Sequence, residues 1–191
     1  MVSDDGAPSR RALLTGTGTA LAGGALALAG CGSVATGKKA VKQTSEPVRR
    51  DDIEILGRAL ELERRTVNAY IACIPLLTKP QRKAARAFMN EELQHTGELT
   101  SLIKAAGGKA APRADSYPIG HAGDGPSAFA LLNSLEALQI SSYLGWIPRL
   151  SPGPVRAAVA SILTVDAEHL AMVRLLQGQD PVPGAFVTGT A

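Results

Sequence analysis

Between residues 51 and 177 the apolar positions of the chain fall at helical spacing in four successive runs. Leu56, Leu60, Glu63, Val67, Tyr70 and Ile74 follow steps of four and three, which line one face of a helix. Phe88, Glu92, His95, Leu99 and Leu102 do the same in the second run. The third gives Phe129, Leu132, Glu136, Ile140, Tyr143 and Ile147. The fourth gives Val155, Val159, Ile162, Asp166, His169, Val173 and Leu176. Helices are therefore predicted over about 51–77, 79–106, 127–150 and 152–177. Pro75 bends or ends the first. Thr78-Lys79-Pro80-Gln81 reads as a capping box opening the second, and Gly107-Gly108 stops it. Ser151-Pro152 opens the fourth, and Gly178 follows it. The tail "PVPGAFV" is apolar but broken by prolines, and is expected to pack as an extended strap.

Between Gly107 and Pro126 no period is sustained, and so long an irregular stretch is unusual inside a compact domain. A bundle whose second and third helices run parallel requires it, because the link must cross the bundle's full length. The fold class predicted is all-α, a four-helix up-down-down-up bundle with a long crossover between helices 2 and 3. The two halves also repeat. Glu63, Tyr70 and Pro75 recur at the same spacing as Glu136, Tyr143 and Pro148, with an Ile before each Pro. Arg82 and Arg156 each stand ten residues before Glu92 and Asp166, which are followed three later by His95 and His169. The chain reads as a duplicated helical hairpin with one extra residue in the second turn.

All four apolar seams are interrupted near mid-length by a carboxylate. No Lys or Arg lies on any seam, although the chain has 20 of them. Buried without counter-charge, each carboxylate would cost several kcal/mol or would take up a proton. Two divalent cations would neutralise four carboxylates, with two neutral imidazoles completing the set. Two helices would each give one Glu, and two others a carboxylate and a His three apart. The alternative is a metal-free bundle holding a buried carboxylate–histidine network. Glu61, Glu91, Glu98 and Glu168 fall off the seams and are expected to be solvated. His121 reads as a loop residue of the crossover.

Composition adds little to this picture. With 45% hydrophobic but only 4% aromatic residues, the core must be built from Leu, Ala, Ile and Val, which suits helix-on-helix packing. A net charge of +3, with Lys38, Lys39, Lys42, Arg49 and Arg50 in one polar segment, reads as a solvated linker and not a nucleic-acid surface. The opening changes the picture more. Residues 1–30 pair Arg10 and Arg11 with an apolar Gly- and Thr-rich run, too short and weakly hydrophobic for a membrane span. They resemble a twin-arginine export signal. Leu28-Ala29-Gly30-Cys31 resembles a lipobox, in which Cys31 is lipidated and becomes the mature N-terminus; the alternative is a Cys that merely ends a signal peptide. Residues 31–50 would then be a flexible tether of about 25 Å typical reach, holding a domain of residues 51–191 to the outer side of the membrane. Cys73, the other of the two cysteines, reads as a small buried hydrophobe.

"LELERRTVNAY", "NEELQHTGEL", "SLEALQISSYLGWIP", "ILTVDAEHLAMVRLL" and the closing "PVPGAF" together resemble the ferritin-like di-iron carboxylate superfamily. Within it they are most similar to the secreted ferritin-like domains that include the desiccation-related proteins. The resemblance implies that Glu92 and Asp166 bridge two divalent metals, iron ahead of manganese. It implies that Glu63 with His95, and Glu136 with His169, complete one metal each. Where the superfamily has Glu this chain has Asp166, one methylene shorter, which would permit an asymmetric centre or a different ion. Tyr70 and Tyr143 are candidates for hydrogen bonds to the ligands or for a redox role, with plain packing as the alternative.

The expected function is that of an exported, membrane-tethered protein with a dinuclear centre, acting in ferroxidation or peroxide removal. The alternative is a non-catalytic metal-binding, or metal-free, envelope protein protecting against stress such as drying. A closed storage cage fits poorly with a lipid on every chain. No nucleic-acid partner is expected.

Overall fold

The computed structural model describes residues 50–190. The export signal, the lipobox with Cys31, and all but the last residue of the tether lie outside these residues. Four helices form the bundle: α1 (Arg50–Cys73), α2 (Lys79–Ala105), α3 (Gly125–Trp146) and α4 (Pro154–Leu176). A single 3-10 turn follows α1 at Ile74–Leu76 and α3 at Ile147–Arg149. Each turn contains its repeat's proline, Pro75 or Pro148, which lacks the N–H that a continuing α-helix would use. Both repeat arginines then reach back over their hairpin turn. Arg82 donates to the Leu77 carbonyl at 3.1 Å, and Arg156 to the equivalent Leu150 carbonyl, also at 3.1 Å.

The helix ends follow local chemistry. At the start of α2, Gln81 Oε1 accepts from the Thr78 N–H at 3.0 Å and from its hydroxyl at 2.7 Å. At the end of α2, Gly107 takes a φ of +78°, and Gly107 N–H and Gly108 N–H donate to the Lys104 and Ile103 carbonyls. That is the paired bond of a Schellman stop, and Gly178 ends α4 with the same pattern. Two starts differ from expectation. α3 begins before Ser127, because Asp124 is its N-cap and accepts the Ser127 N–H at 2.9 Å, with Pro126 tolerated in the first turn. α4 begins after Pro152, because Gly153 turns the chain at φ +100° and Pro154 opens the helix.

Cross-helix bonds set the topology. Tyr70 of α1 meets Glu136 of α3, and Tyr143 of α3 meets Glu63 of α1, so these helices are antiparallel. Glu92 meets His169, and His95 meets Asp166, so α2 and α4 are antiparallel as well. With α1 and α2 joined by a tight turn, α2 and α3 run parallel, and the crossover must travel the bundle's length. It does so along α1. Gly108 lies against Ile53, Arg64 donates to the carbonyls of Ala111 (2.9 Å) and Pro112 (3.3 Å), and Gly125 reaches Leu76.

The seams face inward as their spacing requires. One apolar cluster gathers Leu56, Leu60, Leu99, Tyr143, Val159 and Ile162 at one end. Another gathers Tyr70, Ile74, Phe129, Leu132 and Val173 at the other. Cys73 is buried in the second, and burial pushes its thiol up to about 11. Among the described residues no helix is long and apolar enough to cross a membrane. The tail departs from expectation. Its chain is held at Gly189, whose φ of +68° brings it against the backbone of Ala137 and Ser141, but Val182, Phe186 and Val187 are exposed and do not pack.

One polar tie joins the ends of the two halves. Asp52, in the first turn of α1, is fully buried and accepts the Ser151 N–H at 2.9 Å. Asp52→Ala leaves a buried donor with one partner fewer and is expected to cost about 1–3 kcal/mol of stability. Asp52→Asn, which keeps an acceptor oxygen, should recover much of the loss. Denaturant unfolding of the three proteins measures both.

Candidate metal centre

The six residues picked out on the seams meet at mid-bundle. Glu63, Glu92, Glu136 and Asp166 have no exposed surface, His169 is 1% exposed and His95 8%. They form two overlapping groups of four, Glu63–Glu92–His95–Asp166 and Glu92–Glu136–Asp166–His169. Within each group the donor atoms lie within 4.8 Å of one another, so either could hold a metal ion. Glu92 and Asp166 belong to both. Despite its shorter side chain, Asp166 reaches into the shared space.

The geometry follows the repeat. His95 Nδ1 stands 3.4 Å from Glu63 Oε2, 3.4 Å from Asp166 Oδ1 and 3.8 Å from Glu92 Oε2. His169 Nδ1 stands 3.0 Å from Glu92 Oε1 and 3.6 Å from Glu136 Oε1. Both histidines therefore turn Nδ1 inward. The tyrosines are tied to the site and not merely packed near it. The Tyr70 hydroxyl donates to Glu136 Oε1 at 2.5 Å, and the Tyr143 hydroxyl donates to Glu63 Oε1. Each tyrosine thus holds the glutamate of the opposite repeat. Its own helix carries it two turns away, and the antiparallel pairing of α1 with α3 brings it back.

Several buried atoms in the centre have no hydrogen-bond partner: Glu63 Oε2, Glu136 Oε2, both oxygens of Asp166, and His95 Nδ1. Buried polar atoms are rarely left so, and five of the nine found among the described residues lie on four of the six converging residues. Among the described residues the carboxylates' basic neighbours are the two imidazoles alone. Hard carboxylate oxygens with two imidazole nitrogens make a donor set suited to iron or manganese. The residues fit a metal.

Electrostatics without metal show the strain such an ion would relieve. Burial pushes the Glu63 carboxyl well up, and the neighbouring Glu92 pushes it further. Burial likewise raises Asp166, helped by Glu63, Glu92 and Glu136. Glu136 is raised to about 7, by burial first and then by Glu92. For Glu92 burial acts upward too, but Glu63, His169 and His95 together outweigh it and hold the group below the usual carboxylate range. Burial opposes charge on the imidazoles, yet the carboxylates beside them win. His95 rises to about 9 beside Glu63 and Glu92, and His169 to about 11 beside Glu136 and Glu92.

Two site residues escaped the seam pattern, Glu91 and Gln139, while Phe88, on the second seam, gains a role against the site. Glu91, expected to be solvated, is only half-exposed and stands 2.7 Å from His169 Nε2. Its backbone faces off the seam, but its long side chain spans to α4. Gln139 is fully buried, donates from Nε2 to Glu92 Oε2 at 3.0 Å, and accepts the Thr66 hydroxyl at 2.9 Å. Its spacing of three from Glu136 was the available signal. Phe88 covers His169 with ring centroids 4.6 Å apart. Glu98, Glu168 and His121 are exposed, and Glu61 pairs with Arg64 at 2.9 Å.

Comparison with known proteins agrees with this architecture. The ferritin-like domain family matches the sequence over residues 51–179. No curated protein matches it. Among solved structures the fold is similar to that of a conserved hypothetical protein, rv2844, from Mycobacterium tuberculosis. The similarity covers 66% of this chain and 96% of that one, at 16% identity and a TM-score of 0.63. With a matched helical bundle and a mid-bundle cluster of carboxylates and histidines, the chain belongs to the ferritin-like domain family.

Proposed function

We propose that this protein binds two divalent metal ions, iron in preference to manganese, in the mid-bundle cluster and uses them in oxidant chemistry at the cell envelope. The observation that carries the reading is the convergence of four fully buried carboxylates, three of them with unpartnered oxygens, on one space with two imidazoles. Glu63 and His95 would hold one ion, Glu136 and His169 the other, and Glu92 and Asp166 would serve both. Ferrous ions held there would supply electrons to dioxygen or peroxide, as in ferroxidation or peroxide removal. The chain's own part is to bind and orient. Tyr70 and Tyr143 fix one oxygen each of Glu136 and Glu63 and leave the other free. Apolar clusters at both ends keep bulk water from the carboxylates. The twin-arginine and lipobox motifs support export and a lipid anchor at Cys31.

A second reading, a metal-free protective bundle, draws on one observation. The imidazoles, raised to about 9 and about 11, and the protonated carboxyls let the cluster neutralise itself. Elemental analysis after anaerobic loading with Fe(II) or Mn(II) separates the two. About two ions per chain are expected, falling to about one or fewer in Glu92→Ala and in Asp166→Ala. Fewer than about 0.2 ions in the wild type, with the fold unchanged by chelation, would favour the protective reading.

Protons supply an independent check. Glu136 rises to about 7 and His95 to about 9, so the folded metal-free protein binds more protons than the unfolded chain. Stability of the metal-free form should therefore fall as pH rises from the ordinary carboxylate range through about 9. Glu92 and Asp124 have the opposite sign, and their loss lies below that window. Metal must displace these protons, so loading should release them and its apparent affinity should climb between about pH 6 and pH 8. Calorimetry in buffers of different ionisation enthalpy measures the release. Thermal unfolding of chelated protein across the same range tests the slope.

A further inference from the structure

The duplication makes each residue of one half comparable with its counterpart in the other. Glu63 corresponds to Glu136 and His95 to His169, and both glutamates receive a tyrosine hydroxyl. The surrounding bonds are not duplicated. His169 Nε2 meets Glu91 at 2.7 Å, which holds that ring's proton outward and leaves Nδ1 facing the centre. The counterpart of Glu91, preceding Asp166 as Glu91 precedes Glu92, is Val165, which offers His95 no acceptor. Glu92 is braced by Gln139 at 3.0 Å. The counterpart of Gln139 is Thr66, whose short side chain turns to the Leu62 carbonyl (3.2 Å) and to Gln139 (2.9 Å). Asp166 therefore has no hydrogen bond at either oxygen. His169 is covered by Phe88, whereas His95 is the one member of the six with appreciable contact with solvent.

We propose that the two ends of the centre bind metal unequally. The Glu136–His169 end, with Glu91 as the positioning residue and Phe88 as its cover, fills first and retains its ion. The Glu63–His95 end, where His95 has no such acceptor and stands 3.4 Å from the unbraced Asp166, fills second and exchanges its ion with solvent. This rests on the dinuclear reading above. Orientation is the physical reason: an imidazole already held in place need not be ordered on binding, and losing such an outer bond typically weakens a metal site by about 10–100-fold. At limiting metal the protein would carry one ion, and the second would come and go beside His95.

Anaerobic calorimetric titration of the full metal-free chain with Mn(II) or Fe(II) tests this directly. Two steps are expected, the first tighter by about tenfold or more. Glu91→Ala should weaken the first step by about 10–100-fold and move the second less, whereas Gln139→Leu, which frees a carboxylate that both ends share, should weaken both steps. Val165→Glu, which supplies His95 with the missing acceptor, should tighten the second step and narrow the gap. Circular dichroism verifies that each variant folds, and the wild-type titration needs no variant. Two steps of equal affinity, or a first step untouched by Glu91→Ala, would overturn the inequality while leaving the two-metal reading intact. No binding by the folded wild type would instead remove the two-metal reading.

Discussion

Four carboxylates facing one another inside a helical bundle are the constraint around which this structure is arranged. In an apolar interior each such charge costs several kcal/mol unless something neutralises it. Among the described residues no guanidinium or ammonium pairs with these carboxylates, although the chain carries 20 Lys and Arg. Those in the bundle serve elsewhere: Arg82 and Arg156 hold the hairpin turns, and Arg64 ties the crossover to α1. A fixed cation at mid-bundle would satisfy the carboxylates permanently and occupy the space that they enclose. Imidazoles do neither, because they can give up their protons and become ligands.

The duplication explains how so small a vocabulary builds the site. One hairpin contributes a Glu and a Tyr from its first helix, and a carboxylate and a His from its second. Neither hairpin is complete alone, since Tyr70 needs Glu136 and Tyr143 needs Glu63. Antiparallel pairing of α1 with α3 satisfies both at once. It also forces α2 and α3 to be parallel, and hence the long crossover that Arg64 secures. The length of that loop is a consequence of where two tyrosines must reach.

What could be read from sequence follows the same logic. The seams, the interrupting carboxylates and the glycine stops are local or periodic, so spacing alone carries them. The crossover was legible from its length, though not the path that Arg64 and Gly108 give it. Asp124 was missed as a cap because Gly125-Pro126 looks like loop until Pro is allowed in a helix's first turn. Glu91 reads as solvated because its backbone position faces off the seam, yet its flexible side chain can still cross to α4. Gln139 sat at the right spacing, but a neutral amide beside four charges drew no attention. Such bonds depend on the distance between helices, which no single helix's period contains.

The protonation pattern bears on how such a protein can exist before it meets its ion. Four bare carboxylates would oppose collapse of the bundle. Here burial favours the neutral forms of Glu63 and Asp166, and Glu92, favoured as the anion, lies between imidazoles that favour their charged forms. Protons thus offset part of the charge that two dications would offset in full. Folding and loading become separable steps, exchanging one set of cations for another inside the same frame. Asp166 is where that frame gives most, being short and free of hydrogen bonds at both oxygens. A Glu braced by an amide would hold a second ion more firmly, but it would also resist the movement by which an ion enters or leaves. The chain places its least constrained carboxylate next to the more exposed of its two site histidines, so mobility and access coincide at one end of the site.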